Sequence, residues 1–530
     1  MDMKITNCIS FTQCCIQLYP SANVQKKYHA PYPRASLPFG LSASQSFCQL
    51  PRCSISTTSS VSIRVSAPAI FRLLKPVQCR NKVTVRAGFA VGDTKTKNIE
   101  EESVEETGVV VVGAGLAGLA AGRQLAMQNI PFRILEASDG VGGRVRTDYF
   151  QGFLLDRGFQ IFITAYPEAK RILNYESLDL KQFYSGALVY YNGSFHRVAD
   201  PFKHFADSLG TLLNPIGTIL DKILIGVARL KSVTVTNEEI LLGKEVSIME
   251  KLSVNGFSSS IIDRFFRPFF GGIFFDTELT TTSRLFDFVF KCLALGSNTL
   301  PAVGIKGIPE QIASQLPEGS ILLNSRVEDI INDDTPIVRL EDGRKIRSKY
   351  SVVLAVEEPE AARLLGKELR STPKPPRRTV CLYFSADEAP VKEPILILNG
   401  SGKGIVNNTF FATNVAPSYG PPGKTLVSVS LVGCHDESSD EDLRIAVVKE
   451  LSGWFGSSDV ASWKHLRTYR IRFAQPDQTP PTDLMKEPRF ASGIYLCGDY
   501  RDSATFDGAL VSGRRAIECL VKDANLSGVL

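Results

Sequence analysis

Side chains that bind metals or form disulfides are scarce in this sequence. The chain has 530 residues but only 11 cysteines and five histidines. Six of the cysteines precede residue 87, and the other five are scattered without a CxxC pair. The four histidines beyond that point are equally dispersed. This distribution indicates reduced, packed cysteines and excludes a cysteine-based metal site, so we predict no metal.

Long apolar runs are also missing, and so are acidic residues near the N-terminus. No apolar run reaches the roughly 18 residues of a membrane span, so we predict no transmembrane helix. Residues 1–86 contain 11 Lys and Arg residues but a single acidic residue, Asp2. The whole chain has a net charge of +5, and without this region the net charge is −5. A mildly acidic body argues against nucleic-acid binding.

The first 86 residues resemble an organellar transit peptide. They are rich in hydroxyl side chains, as in the run 54–60, and they lack the compact apolar core of a secretory signal. Val85-Arg86-Ala87 resembles a plastid processing site, so we expect the protein in the chloroplast, in the stroma or at a thylakoid or envelope surface. A mitochondrial leader and a disordered regulatory tail are the alternatives. The Glu-rich segment 87–107 is predicted to be a disordered linker.

The segment 109–136 has the layout of a βαβ dinucleotide-binding unit. Four consecutive valines before Gly113 predict a buried strand, and Phe132–Leu135 predicts a second one. Between the two strands, Gly113, Gly115 and Gly118 form a GxGxxG pattern that opens a helix. Glu136 follows the second strand. Strand, glycines, helix and acid therefore occur in the order that a dinucleotide site requires.

Each of these positions has a physical role in such a site. Gly113 permits the tight turn, Gly115 lets the backbone approach a pyrophosphate, and Gly118 lets the helix pack closely on the strand. The helix N-terminus presents unpaired N–H groups to the phosphates. Glu136 is expected to accept hydrogen bonds from ribose hydroxyls. A glycine-rich turn without a ligand is the alternative interpretation.

A second element, Gly142-Gly143-Arg144, follows Glu136 closely. Two glycines bring the backbone near a ligand, and the arginine can neutralise a phosphate. An NAD-binding Rossmann unit does not require this element. The block from Val109 to Arg144 resembles the FAD-binding fingerprint of the flavin amine oxidase superfamily, which includes carotenoid desaturases, protoporphyrinogen oxidases and monoamine oxidases.

Further segments resemble motifs of the same superfamily. Phe153–Gly158 resembles the strand that passes the flavin, and Val327 matches a strand position that contacts adenine. Near the C-terminus, Leu496–Tyr500 and Asp507–Ala516 resemble the C-terminal flavin motif. The resemblance implies that Asp499 binds the ribityl chain or the pyrophosphate. It also implies that the helix of the last segment directs its N-terminus at the flavin, where reduced flavin carries negative charge.

The resemblance implies an α/β fold with FAD as the cofactor. A Rossmann-like FAD-binding domain of the GR2 type is expected, with an interleaved α+β substrate domain built on a mixed sheet. The implied FAD-binding residues are Gly113, Ala114, Gly115, Leu116, Ala117, Gly118, Glu136, Ala137, Gly142, Gly143, Arg144, Gly158, Val327, Gly498, Asp499, Gly508 and Ala509. The expected segments are 1–86 transit peptide, 87–107 linker, 108–175, 301–365 and 486–530 FAD-binding domain, and 176–300 and 366–485 substrate domain.

Two apolar stretches fall in the predicted substrate domain. Apolar residues recur at helical spacing over 200–232, where Pro215 is expected to start or kink a helix. This stretch is interpreted either as core helices that cover a substrate cavity or as a membrane-surface patch through which an apolar substrate enters. The aromatic segment 265–275 is interpreted as core, with several rings as candidates for the wall of an apolar pocket. Lys306 is expected to be an exposed loop lysine.

The resemblance implies an FAD-dependent desaturase or oxidase that removes hydride from an apolar plastid substrate. Carotenoid-, isoprenoid- and tetrapyrrole-like molecules are the candidate substrates, and a quinone or oxygen is the expected electron acceptor. The sequence does not identify the catalytic residues, and a strong side-chain base is not required, because the flavin carries the hydride chemistry. An FAD-dependent amine oxidase with a polar pocket and a non-enzymatic isoprenoid- or lipid-binding protein of the same fold are the alternatives. Peripheral membrane association is a further hypothesis.

Overall fold

Two large β-sheets organise the part of the chain that the structure describes. The computed structural model describes residues 104–526, except 201, 205–209, 211–213, 332–334 and 371–373. An eight-stranded sheet contains the predicted dinucleotide-binding unit, and a seven-stranded sheet lies in the predicted substrate domain. The chain passes back and forth between the two sheets, so neither is formed by one continuous segment.

The described strands and helices have the following bounds. The strands are β1 (Glu105–Val112), β2 (Phe132–Leu135), β3 (Thr147–Phe150), β4 (Phe153–Asp156), β5 (Phe162–Ile163), β6 (Leu180–Gln182), β7 (Gly186–Tyr191), β8 (Ser194–Ala199), β9 (Asn298–Pro301), β10 (Ile321–Leu322), β11 (Val327–Ile331), β12 (Ile337–Leu340), β13 (Lys345–Leu354), β14 (Arg377–Ala386), β15 (Leu396–Asn399), β16 (Asn408–Phe411), β17 (Thr425–Val432), β18 (Lys464–Gln475), β19 (Arg489–Ala491) and β20 (Ile494–Leu496). The α-helices are α1 (Leu116–Met127), α2 (Pro167–Ile172), α3 (Ile219–Thr234), α4 (Asn237–Leu242), α5 (Ile248–Val254), α6 (Ser259–Ile261), α7 (Arg267–Phe274), α8 (Ser283–Leu295), α9 (Gly307–Ala313), α10 (Glu358–Leu365), α11 (Ala412–Val415), α12 (Asp440–Phe455), α13 (Ser457–Ala461) and α14 (Phe506–Asp523). A π-helical turn, Ile262–Phe266, precedes α7, and 3₁₀ turns occur at Pro417–Tyr419 and Asp499–Arg501.

The first sheet has a parallel core in the order β10-β2-β1-β13-β20. The antiparallel β11–β12 hairpin extends it beyond β13, and β19 pairs with β20. Val109 to Val112 are buried because this part of β1 is hydrogen-bonded to β2 on one side and to β13 on the other. A central parallel strand covered on both faces favours a continuous apolar sequence, which explains the run of valines.

Helix α14, near the C-terminus, packs directly against α1, near the start of the described chain. A glycine makes this contact close: a Cβ at Gly513 would lie 2.1 Å from the Ala117 carbonyl oxygen. The helix of the first βαβ unit and the C-terminal helix therefore pack side by side. Sequence positions far apart in the chain meet in this domain.

The second sheet runs in the order β18-β14-β17-β16-β15-β7-β8. Its pairs are antiparallel except β15–β7, which is parallel, so the sheet is mixed. The hairpin β3–β4 and the three-stranded β5-β9-β6 sheet complete the strand pairing. The predicted α/β fold, with a Rossmann-like domain interleaved with a domain on a mixed sheet, is confirmed.

Several predicted boundaries are corrected. The first strand begins at Glu105 and not at Val109, so residues 105–107 belong to the sheet and the linker prediction is wrong there. The physical reason is backbone pairing of Glu105 with Ile346 of β13, together with an ion pair from Arg133 to Glu105. The predicted transit peptide and residues 87–103 of the predicted linker lie outside the described residues.

The structure also shows where two of the predicted helices begin. Helix α3 begins after Thr218, whose side chain and Asp221 form a capping box, so Pro215 lies before the helix. The C-terminal helix begins at Phe506, two residues before Gly508. Within the described ranges, no helix combines the length and apolar character needed to cross a bilayer.

Candidate active site

A cavity of about 540 Å³ is lined by loops of the first sheet, by strands of the second sheet and by helices between them. One part lies at the carboxyl ends of first-sheet strands, and we call it the nucleotide end. Loops after β1, β2, β13 and β20 contribute Gly113, Glu136, Glu357 and Asp499 to its lining. Ligands bind at this edge of open parallel sheets. The predicted glycine loop, its partner acid and the C-terminal acid are therefore brought together.

The glycine loop is shaped by its backbone and by open space. Gly113 has a left-handed φ of +102°, and a Cβ at Gly118 would lie 1.9 Å from the Gly113 carbonyl oxygen. A Cβ at Gly115 would meet no atom within 4 Å, because this residue faces the cavity. Gly115 precedes α1, and no side chain caps that helix. The first N–H groups of α1 are therefore available to a ligand in the cavity.

Glu136 connects the glycine loop to the turn that follows β2. Its Oε2 accepts a hydrogen bond from the Ala114 N–H at 2.8 Å, and its Oε1 accepts from the N–H and Oγ of Ser138 at 2.9 and 2.7 Å. The side chain is buried and lines the cavity. Glu136 thus holds the loop in position and presents a carboxylate to the nucleotide end.

The Gly142-Gly143-Arg144 element packs against the glycine loop. Gly142 has φ +111° and donates its N–H to the Ala114 carbonyl at 2.8 Å. A Cβ at Gly143, which has φ +58°, would come within 3.4 Å of the Gly115 Cα. The positive φ angles favour glycine at both positions, and both residues line the cavity.

Arg144 is surrounded by acceptors from three other segments. Its Nη1 donates to Asp499 Oδ2 and to the Ala474 carbonyl, each at 2.8 Å, and its Nε lies 3.5 Å from Glu357 Oε1. Burial raises the pKa of Glu357 above its usual range, and the nearby Arg144 charge opposes that rise. The arginine is paired with carboxylates here, so its role toward a phosphate stays a prediction.

Only one of the two carboxylate oxygens of Asp499 has a hydrogen-bond partner among the described residues. Oδ2 accepts from Arg144, whereas Oδ1 is buried without a hydrogen-bond partner among the residues described. Gly498, with φ +143°, makes the turn that positions Asp499, and its N–H donates to Ser512 Oγ at 2.8 Å. An unpartnered buried carboxylate oxygen is costly, and a donor supplied by a ligand would remove the cost.

Asp156 fixes the strand that leads to Gly158. It accepts from Thr147 Oγ1 at 2.6 Å, from the Ile305 N–H at 3.0 Å and from Tyr419 Oη at 2.9 Å. Complete burial raises the pKa of this carboxyl to about 6, although the three donors oppose the rise. Gly158 follows with φ +91° and lines the cavity. Asp156 is therefore part of the scaffold that positions the cavity wall.

The N-terminus of α14 reaches the cavity through Thr505, Phe506 and Ala509. Thr505 caps the helix, because its Oγ1 accepts from the Gly508 N–H at 3.0 Å. Asp507 Oδ1 accepts from the N–H groups of residues 168 and 169 at 2.7 and 3.1 Å, and so caps α2 as well. Burial raises the pKa of Asp507 to about 7.

The remainder of the cavity has a mostly apolar lining, and we call it the apolar end. Leu396, Leu398 and Ile471 of the second sheet line it, together with Phe269 and Phe274 of α7. The aromatic segment 265–275 therefore contributes rings both to the core and to the cavity wall, as the two interpretations of this segment predicted. Phe266 and Phe270 are buried in the core, whereas other members of the segment form a cavity wall.

Residues 116–521 match the family described as flavin containing amine oxidoreductase, and this match spans most of the chain. The chain belongs to this family. Its membership identifies the protein as an oxidoreductase with FAD as its cofactor. The alternative of a non-enzymatic carrier is not supported.

The relatives of this flavin oxidoreductase are diverse. A 15-cis-phytoene desaturase, chloroplastic/chromoplastic, of Capsicum annuum is 23% identical over 474 residues, which cover 79% of this chain and 78% of the relative. Polyamine oxidase 5 of Oryza sativa subsp. japonica is 38% identical over 71 residues, which cover only 13% of this chain and 14% of that protein. The solved structure of a putrescine oxidase double mutant matches with a TM-score of 0.61 and 16% identity, covering 79% of this chain and 100% of that one.

Five of the predicted FAD-binding residues do not line the cavity of this flavin oxidoreductase. They are Ala114, Gly118, Ala137, Val327 and Gly508. Ala114 and Gly118 shape the glycine loop, and Gly508 packs so closely that a Cβ would lie 2.1 Å from the Ser503 carbonyl. Val327 is buried in β11, while Ala137 is exposed. The remaining predicted positions, including Leu116 and Ala117, line the cavity.

Many cavity residues of the flavin oxidoreductase were not predicted from the sequence, and Glu357, Tyr166 and Asn408 are three examples. Glu357 lies in the loop after β13 and could be found by asking which residues follow the ends of parallel strands. Tyr166 directly precedes α2, and Asn408 is the first residue of β16; no local sequence pattern identifies either as a cavity residue. Lys306 directly precedes α9, is only partly exposed and pairs with Glu310 at 3.3 Å, so it is less exposed than predicted.

The interpretation of 200–232 as core helices is wrong for α3. Asp221 is the buried residue of this helix, and five apolar side chains are more than half exposed: Ile219, Leu220, Ile223, Val227 and Leu230. Ile216, which precedes the helix, is buried. The positions 201, 205–209 and 211–213 of the same stretch lie outside the described residues.

Proposed function

We propose that this protein is an FAD-dependent desaturase or oxidase that removes hydride from a largely apolar substrate. The observation that carries the proposal is one cavity that joins a dinucleotide-type loop cluster to an apolar chamber. FAD, when bound, supplies the hydride acceptor. The chain binds and orients FAD and the substrate, and it excludes water from the apolar end.

The residues at the nucleotide end fit FAD. A Cβ at Gly115 would project into open cavity, as expected where a pyrophosphate lies against the backbone. The unpartnered Oδ1 of Asp499 offers an acceptor to a ligand hydroxyl. We propose that the predicted residues at this end hold FAD, with Glu136 at the ribose and Arg144 near the pyrophosphate. We keep the predicted division into FAD-binding and substrate segments.

An apolar substrate is favoured over an amine. Among the described lining residues of the apolar end there is no Asp or Glu, so a cationic amine would lack a charged partner there. Burying an unpaired ammonium in such surroundings is costly. The phytoene desaturase relative acts on the apolar substrate in its name and matches most of this chain. Isoprenoid-, carotenoid- and tetrapyrrole-like molecules remain our candidate substrates, with a quinone or oxygen as electron acceptor.

We also propose peripheral contact with a membrane in the plastid. The exposed apolar face of α3 would lie on the lipid surface, since amphipathic helices bind bilayers through such faces. Helix α3 packs on α8, whose Val289 and Leu293 line the apolar end. The plastid location is supported by the composition of residues 1–86 and by the printed location of the desaturase relative.

Anaerobic reduction tests this proposal. The full chain, purified with FAD, is mixed without oxygen with an acyclic isoprenoid, a porphyrinogen or spermidine, and flavin absorbance is recorded. We expect the isoprenoid or the porphyrinogen to bleach the flavin bands. Bleaching by spermidine alone, with hydrogen peroxide formed in air, would support the amine oxidase alternative instead.

A further inference from the structure

The wall of the apolar end formed by the second sheet contains one buried polar side chain without a partner. Asn408 is the first residue of β16, is 3% exposed and lines the cavity. Its Oδ1 is buried without a hydrogen-bond partner, and within the described residues its side chain makes no hydrogen bond at all. Most buried side-chain amides in proteins are satisfied, so an unsatisfied one in a substrate chamber needs an explanation.

The strand register places a second unsatisfied group beside it. Asn408 is paired with Ser430 of β17 and with Leu398 of β15, so all three side chains are on the same face of the sheet. Ser430 Oγ is also buried without a partner. Leu398 lines the cavity next to Asn408. Ser430 is thus a second unsatisfied polar group on the same face of the sheet, and Asn408 is the one of the two that lines the cavity.

Close packing from the opposite side fixes the amide. Gly272 of α7 also lines the cavity, and a Cβ at this position would lie 3.1 Å from Asn408 Nδ2 and 2.5 Å from Asn407 Nδ2. Asn407 is different, because its Nδ2 donates to the Pro268 carbonyl at 3.0 Å. The Asn407 side chain thus has a structural hydrogen bond, whereas Asn408 lines the cavity with its hydrogen-bonding capacity unused.

We infer that Asn408 is a specificity-determining residue that hydrogen-bonds a hydroxyl group on an otherwise apolar substrate. A hydroxyl suits the site because it can donate to Oδ1 and accept from Nδ2 of one amide. A pure hydrocarbon would leave the amide buried and unsatisfied, which disfavours its binding. This inference rests on the proposed function and narrows its substrate class to hydroxylated apolar molecules.

A matched pair of ligands tests it. Farnesol and farnesene share an isoprenoid body and differ in the hydroxyl, and each is titrated into the full-length, FAD-loaded protein while flavin absorbance is followed. We expect the wild type to bind farnesol about fivefold to tenfold more tightly, as one buried hydrogen bond allows. In Asn408→Leu, and in Asn408→Val if the leucine variant does not retain FAD, we expect the two affinities to become equal.

Thr409→Val is the matched control. Thr409 is adjacent in β16 but on the opposite face, where its Oγ1 donates to the Ser428 carbonyl, so this variant keeps the preference for farnesol. Equal binding of both ligands by the wild type overturns the inference. A preference for farnesol that persists in the Asn408 variants also overturns it. If Asn408 and Ser430 instead hold an internal water, Asn408→Leu and Ser430→Ala lower the melting temperature and leave the preference intact, which also overturns it. Binding of neither ligand to the flavin-loaded protein contradicts the proposed function itself.

Discussion

Arg144 and Asp499 are 355 residues apart in the chain, and their side chains meet at 2.8 Å in the nucleotide end. The pair joins the first βαβ unit to the loop after β20. Asp499 uses only Oδ2 in this contact, so its second oxygen stays buried and unpartnered. Arg144 also lies 3.5 Å from Glu357. One cation is therefore shared by two carboxylates, and this leaves acceptor capacity for a bound cofactor.

Asp499→Asn is expected to weaken FAD binding by about tenfold to a hundredfold. The change keeps the shape of the side chain but removes the charge, and hydrogen bonds to charged groups are worth roughly 1.5–3 kcal/mol. The dissociation constant is measured from the fluorescence of released FAD. Asp440→Asn is the control, because Asp440 forms a comparable 2.7 Å ion pair with Arg470 away from the cavity. Unchanged affinity in Asp499→Asn would refute the assignment.

Alanine substitutions at two glycines of the same loop are expected to affect different properties, FAD binding at Gly115 and stability at Gly118. Gly115→Ala adds a methyl group to open cavity at a backbone φ of −70°, so the fold is retained while FAD binding falls by about tenfold or more. Gly118→Ala places its methyl group 1.9 Å from the Gly113 carbonyl and is expected to cost more than about 2 kcal/mol of stability. Thermal unfolding and FAD affinity, measured on both variants, separate the two effects. A stable Gly118→Ala protein would contradict the close-packing argument.

Glu136→Ala is expected to lower FAD retention more than Glu136→Gln. The alanine variant loses the acceptor for the Ala114 N–H and the carboxylate offered to the ribose, whereas the glutamine variant retains one acceptor oxygen. The FAD-to-protein ratio after gel filtration measures the difference. Equal retention in wild type and both variants would show that Glu136 only shapes the loop.

The nucleotide end could be predicted from sequence because its signals are local. Gly113, Gly115 and Glu136 occur within one strand–helix–strand unit, and their spacing alone specifies the turn and the acid. Asp499 lies far away in the chain, and only its resemblance to a family motif connected it with them. Glu357 was missed, although it lies in the loop after β13, a strand of the parallel core. The pairing of Glu357 with Arg144 becomes evident only when the strand order of the sheet is known.

The apolar end could not be predicted in the same way. Asn408 begins a short strand between apolar residues, and the sequence carries no sign that its amide lacks a partner. That property depends on the register with Ser430 and on the approach of Gly272. The spacing of apolar residues in 219–230 indicated a helix correctly. Spacing alone did not reveal whether the apolar face meets the protein core or solvent.

Asp507 predicts a pH dependence of stability. Burial raises the pKa of this carboxyl to about 7, from 3.8 in the unfolded chain. The folded state therefore binds the proton more tightly, and stability falls as pH rises from about 4 to about 7. Asp507→Asn keeps an acceptor for the N–H groups that cap α2 and cannot ionise. We expect its melting temperature to exceed that of the wild type increasingly between pH 5 and pH 8, and a constant difference would contradict the buried-acid argument.

Helix α3 predicts reversible binding to lipid vesicles. The substitutions Leu220→Asp, Ile223→Asp and Val227→Asp, made together, place charges on its exposed apolar face, and burying charge in a bilayer surface is unfavourable. We expect flotation with vesicles of phosphatidylcholine and phosphatidylglycerol to fall at least about fivefold, while FAD content stays unchanged. Ile445→Asp is the control, since Ile445 is also exposed but lies on α12. Ile216 is buried and is not a surface probe. Flotation that survives the triple substitution would exclude this face as the membrane contact.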